Sequence, residues 1–171
     1  MITGKYPSLR LRRSRKSDWS RRLIEENNLT PNDFILPIFL IDGKNKKQAI
    51  KSMPEVYRYS LDKISFVVDK AIKKGLPMIA LFPYTSKKRK NSLGTEALNE
   101  DNLVCKAIRT IKKRFKNEIG VMCDVALDPY TSHGHDGLIK QGYVLNDETI
   151  KILVNQSLIQ AQMGCDVLAP S

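Results

Sequence analysis

Aromatic residues make up only 7% of this 171-residue sequence, and it has one tryptophan, two histidines and three cysteines. Each shortage closes off a class of function. A chain this poor in aromatics has little to stack on unpaired bases, which argues against a single-stranded nucleic-acid binder. Cys105, Cys123 and Cys165 are odd in number, far apart and set among apolar neighbours. They do not read as a disulfide framework. They read as buried free thiols of a reducing compartment, so a cytoplasmic location is expected. No apolar run approaches the ~20 residues of a membrane-spanning helix. The basic N-terminus also lacks the apolar stretch of a signal peptide, and no membrane partner is expected. The glycine fingerprint of a dinucleotide site follows none of the apolar segments.

What is present is a composition of 42% hydrophobic and 27% charged residues, that of an ordinary globular domain able to bury a core. The net charge is +11, with the basic residues spread over several segments. The densest is SLRLRRSRKSDWSRR, residues 8–22, in which seven of fifteen are Arg or Lys. Such a segment suits either a nucleic-acid arm or an arm that packs on another subunit. The lack of stacking residues disfavours the first, and no nucleic-acid partner is expected. Residues 1–30 are therefore expected to form a basic N-terminal arm, and residues 31–171 the folded domain.

Within that domain, short apolar runs alternate with amphipathic stretches. DFILPIFLIDG (33–43), PMIALFPY (77–84), IGVMCDVAL (119–127) and CDVLAP (165–170) read as buried strands. Between them the spacing predicts three helices. The first runs from Asp62 to Lys74 on Ile64, Val67, Val68, Ala71 and Ile72, and is closed by Gly75. The second buries Leu103, Ala107, Ile108, Ile111 and Phe115 and turns Lys106, Arg109, Lys112 and Lys113 to solvent. The third starts at Asn146 as N-cap, with Ile150, Leu153, Val154, Leu158 and Ala161 as its core stripe. The order β-α-β-α-β-α-β predicts a parallel sheet with right-handed crossovers. It closes either as an open doubly wound sheet or as a (β/α)8 TIM barrel. Long polar loops after the second and third strands favour the barrel, whose active sites lie at that face. Four strands are half of a barrel, so the chain is expected to be the first half of a larger fold, without the strands that would complete it.

The chemistry gathers in DVALDPYTSHGHDG, residues 124–137. His133 and His135 sit among glycines in a loop, and no third histidine exists to complete a metal site of the metallohydrolase kind. Asp124, Ala126 and Asp128 share one face if the strand alternation continues, so two carboxylates point together into the barrel mouth. Buried carboxylates need a cation, an amine or a raised pKa. A turn aspartate before Pro129 accounts for Asp128 alone but not for Asp124. Asp136 follows in the loop, and Ser171 closes the last strand at the same end.

DVALDPYTSHGHDG with GCDVLAPS closely resembles the porphobilinogen synthase (5-aminolevulinate dehydratase) family. The likeness continues through SLRLRRSRK, LTPNDFILPIFLIDG, SMPEVYRYSLD and NSLGTEALNEDNLVCKAIR and spans essentially the whole chain. One departure is Glu55, where the family usually has glycine. The resemblance implies a (β/α)8 barrel with an arm that wraps a neighbouring subunit in a homo-octamer. It implies condensation of two 5-aminolevulinate molecules into porphobilinogen with loss of two waters. Two Schiff-base lysines on later strands match no residue of this chain. By the same resemblance Asp124 and Ser171 are catalytic positions, Asp124 holding or deprotonating the ammonium of one substrate. Asp128 and Asp136 are substrate- or cation-binding positions. In zinc-dependent members three cysteines occupy the positions of Ala126, Asp128 and Asp136. Oxygen ligands at two of them favour Mg2+ or a monovalent cation over zinc. An inactive remnant, or a module that works only with a partner, is the alternative expectation for the chain alone.

Overall fold

The computed structural model describes residues 4–171. The chain divides into two compact units, one up to Thr30 and one over Pro31–Ser171. Of the arm expected over residues 1–30, residues 1–3 lie outside the described residues. The rest carries a short 3-10 turn, Arg13–Arg15, and helix α1, Asp18–Ile24. Asp18 pairs with Arg22 one turn on, at 3.0 Å. Ser20 is the one buried side chain among the described residues of this helix, while Leu11, Trp19 and Leu23 stand in solvent. A segment with so little buried apolar surface gains little from packing on itself.

The second unit is built on β1 (Ile35–Ile41), β4 (Met78–Tyr84), β5 (Gly120–Val125) and β8 (Val167–Pro170). These four run parallel and neighbour one another in chain order. Ile35 pairs with Met78, Met78 with Gly120, and Met122 with Val167. Between them lie α2 (Leu61–Lys73), α3 (Leu103–Phe115) and α4 (Asn146–Gln162). The fold is mixed α/β with a parallel sheet, and its strands and crossover helices fall within a few residues of the predicted ones. Two hairpins went unpredicted. One joins β2 (Lys47–Ala49) to β3 (Tyr57–Tyr59), with β3 pairing parallel to β1 at Phe39 and Leu40. The other is β6 (Ile139–Lys140) with β7 (Tyr143–Val144).

The core lies on one face of the sheet. Ile38, Leu40, Ile79, Leu81, Val121 and Cys123 alternate along β1, β4 and β5, and all are buried. They pack against Ile64, Val68 and Ala71 of α2 and Val104, Ala107, Ile108 and Ile111 of α3. Asn102 caps α3, its Oδ1 accepting from the Cys105 N–H at 2.9 Å. Gly75 ends α2 in a left-handed conformation, φ 76°, that lets its own N–H and that of Leu76 return to the last turn. The solvated face of α3 is partly paired: Arg109 meets Asp101 and Lys112 meets Asp166.

Helix α4 departs from expectation. Asn146 is its first residue rather than its cap; the cap position is Leu145 and carries no side-chain cap bond. The stripe is also rotated. Ile150, Val154 and Leu158 are more than half exposed, and Ala161 is exposed. The buried residues are Thr149, Gln156 and Gln160. Of the expected stripe only Leu153 packs inward, against a second cluster of Ala97, Leu127, Tyr130 and Leu138. The physical reason is that polar groups at the end of β5 need partners more than the helix needs an apolar contact there. Gln156 Nε2 donates to the Ala126 carbonyl and Gln160 Nε2 to the Asp124 carbonyl, at 3.3 and 3.1 Å.

Candidate active site

The C-terminal ends of β1, β4 and β5 open into a cavity of about 740 Å³. Its floor is apolar, with the rings of Phe39 and Phe82 in tilted contact, centroids 5.6 Å apart. Asp124 and Asp128 line one part of it. Arg58, Lys87 and Lys90 also line it. Arg58 lies over the Tyr84 ring at 4.6 Å. A cavity with charges of both signs around an apolar floor suits a small molecule carrying an amine and a carboxylate.

Asp124 reaches the cavity by the pleat of β5. Val121, Cys123 and Val125 are buried in the core and Asp124, half-buried, points the other way. Asp128 does not arrive by continued alternation, as the sequence suggested. The strand ends at Val125, and the chain turns: Tyr130 and Thr131 both donate their N–H to the Leu127 carbonyl, at 2.8 and 2.9 Å. Ala126 and Leu127 are buried and Asp128 stands out of that turn.

Three carboxyls then act on one another. Burial, and next the nearby Asp136 carboxylate, raise Asp124 above the ordinary carboxylate range. Burial of the carboxyl, a hydrogen bond with Asp136 and repulsion from Asp136 and Asp124 lift Asp128 to about 6, with Lys90 opposing. Because Asp128 as a residue is exposed, the contact with Asp136 is the more durable of these causes.

The loop itself is tied down. Buried Thr131 donates its hydroxyl to the His135 carbonyl at 2.9 Å. His133 Nδ1 accepts from the His135 N–H, and His135 Nδ1 from the Gly137 N–H. With Nδ1 of His133 an acceptor, the proton of the neutral ring sits on Nε2, which donates to the Ser92 carbonyl at 3.2 Å. Both imidazoles therefore shape the turn.

Ser171 follows β8 directly, its N–H donating to the Val125 carbonyl at 3.2 Å. It is exposed and is not among the residues that line the cavity. The structure thus brings Asp124, Asp128 and Asp136 together and leaves Ser171 at the neighbouring strand end. None of the three cysteines is among the residues that line the cavity. Cys105 is pushed up to about 11 by burial, and Cys123 upward by its contact with Cys165 and by burial.

A metal ion fits poorly here. Among the described residues no group of three or more His, Cys, Asp or Glu side chains can hold one. Ala126 offers no donor, so of the three positions only Asp128 and Asp136 carry an oxygen ligand.

Sequence reasoning missed Arg58, Lys87 and Lys90. Lys87 and Lys90 fall in the run KKRK, which reads as a solvated loop, and Arg58 lies on the unpredicted hairpin. Nothing in their local spacing separates them from the other basic residues.

The sequence profile of the family described as Delta-aminolevulinic acid dehydratase matches residues 8–171. A protein of that name from Bradyrhizobium diazoefficiens is 56% identical over 164 residues, covering 96% of this chain and 46% of its own length. One from Chlamydia pneumoniae is 41% identical, covering 96% of this chain and 49% of its own. The crystal structure of delta-aminolevulinic acid dehydratase (porphobilinogen synthase) from Toxoplasma gondii, in complex with the reaction product porphobilinogen, superposes with a TM-score of 0.87 at 35% identity. That match covers 95% of this chain and 46% of the other. The chain spans about half the length of the curated relatives it matches.

Proposed function

The chain belongs to the delta-aminolevulinic acid dehydratase family, and from that premise we propose that it forms part of the active-site mouth of a porphobilinogen synthase. The reaction joins two molecules of 5-aminolevulinate and releases two waters. One observation carries the reading: Asp124 and Asp128 converge on an apolar-floored cavity at the C-terminal ends of parallel strands, in a fold shared with a relative solved with porphobilinogen.

In this reading the sheet is a sector of a (β/α)8 barrel. Two features support that. The four strands neighbour one another in chain order with no reversal, as barrel strands do and doubly wound strands do not. Within the second unit α2 and α3 pack on one face of the sheet, whereas parallel sheets are ordinarily covered on both. The opposite face carries Phe39, Phe82, Met122 and Asp124, which a closed barrel would turn inward.

Asp124 receives the ammonium of one substrate molecule. Its raised pKa makes it a better proton acceptor than an ordinary carboxylate, and the apolar floor keeps water from competing. Asp128 and Asp136 supply the surrounding negative field. Ser171 steers the substrate from the adjoining strand end. The Schiff-base lysines would come from strands that this chain does not contain. The cation of the whole enzyme is Mg2+ or a monovalent ion held away from this mouth, and zinc is not used, since no thiolate stands at the acidic positions. The basic arm serves a homo-octamer, and the enzyme works in the cytoplasm. No described helix is long and apolar enough to cross a membrane.

The test is direct. The full-length gene product, incubated with 5-aminolevulinate, yields porphobilinogen detectable by mass spectrometry. A folded full-length protein that leaves the substrate unchanged contradicts the proposal.

A further inference from the structure

Among the three cations that line the cavity, Lys90 is fastened to the aspartate loop itself. Its Nζ donates to the Asp128 carbonyl oxygen at 3.0 Å, across 38 residues of chain. The fastening continues on the C-terminal side. Asn91 N–H donates to the Tyr130 carbonyl at 3.3 Å, and Ser132 N–H returns to the Asn91 carbonyl at 2.9 Å. Asn91 and Thr131 thereby form an isolated parallel bridge between two loops. The loop after β4 is thus zipped to the loop after β5, and the zipper brings the ammonium of Lys90, a half-buried residue, to the loop that carries the carboxyls. Lys87 is exposed and Arg58 lies on a tyrosine ring, so neither has this placement.

The acidic cluster needs a counter-charge, because carboxyls this close repel one another. The cluster lacks a donor set that fits a metal ion, and it contains an ammonium. We propose that Lys90 is a positioning residue of this active site, its fixed ammonium holding the Asp128 loop at the cavity wall and standing where a metal cation would otherwise be needed. The inference rests on the reading of the cavity as the mouth of a porphobilinogen synthase. Its consequence is that any divalent-cation requirement of the enzyme arises elsewhere. Lys90 acts through Asp128 and the loop geometry, and takes no covalent part in the reaction.

The experiment uses the full-length enzyme with Lys90→Gln, which keeps a donor but removes the charge, and Lys90→Arg, which keeps both. We expect kcat of Lys90→Gln to fall about tenfold or more while KM moves by less than about threefold. Lys90→Arg should restore kcat to within about threefold. Lys90→Gln with unaltered kcat, or Lys90→Arg no better than Lys90→Gln, overturns the proposal. If Lys90→Gln does not fold, a folded and active Lys90→Arg still supports the need for charge, and failure of both overturns it. The outcomes are separable from the parent reading: an unmodified enzyme that makes no porphobilinogen sinks that reading, whereas an active unmodified enzyme with an unaltered Lys90→Gln overturns the role of Lys90 alone.

Discussion

Glu55 holds a φ of 63°, in the left-handed region that glycine enters freely. It sits in the tight connection between β2 and β3, where Val56 N–H donates to the Met53 carbonyl and Ile50 N–H to the Val56 carbonyl. The departure from the family's glycine therefore carries a backbone cost. Glu55→Gly should raise unfolding stability by about 1 kcal/mol in urea titration, the scale of the left-handed penalty for an L-residue. Equal or lower stability would refute the strain. Asp128 gives a prediction with a sign. Its folded pKa, about 6, lies above its ordinary value of 3.8. Protonated Asp128 is thus favoured by the fold, and the stability it contributes is present below pH 4 and lost as pH rises through 6. Asp128→Asn cannot ionise, so its Tm relative to the unmodified protein should climb between pH 4 and pH 7. A difference that shrinks over that range contradicts the raised pKa of Asp128. At this scale the sequence was informative where a residue type was costly: a carboxylate in an apolar strand marks Asp124. It was silent on Lys90, because a lysine among lysines shows nothing of the carbonyl it will meet 38 residues away.

At the scale of elements, periodicity located the sheet strands and crossover helices but misjudged which face of α4 turns inward. Ile150, Val154 and Leu158 keep helical spacing, yet they face solvent in this chain. The inward positions belong to Gln156 and Gln160, whose amides satisfy the carbonyls at the end of β5. A rule based on hydrophobicity does not find a helix whose buried face is chosen by hydrogen-bond demand. Gln160→Ala tests this: the bond to the Asp124 carbonyl is lost, and unfolding stability should fall by about 1–3 kcal/mol. A change under about 0.5 kcal/mol, typical of a surface site, would show that the amide is dispensable. The same reasoning explains Asp128. Strand alternation predicts its direction only while the strand lasts, and the turn at Leu127 takes over after Val125.

For the whole molecule, the alternation of strands and helices fixes a parallel sheet with neighbours in chain order, and it leaves closure open. On the proposed barrel reading, closure would bury the exposed row on α4. In the full-length protein Leu158→Lys should therefore lower stability by about 2–3 kcal/mol, the scale for placing a charge in a packed apolar contact. A loss of no more than about 0.5 kcal/mol would mean that this face stays in water. The most direct test of the central claim compares kcat/KM for 5-aminolevulinate in the full-length protein and its Asp124→Asn variant. If Asp124 receives the substrate ammonium and its proton, the unmodified protein forms porphobilinogen and the variant loses about 100-fold or more with its fold intact. A variant that keeps the unmodified rate would contradict the account.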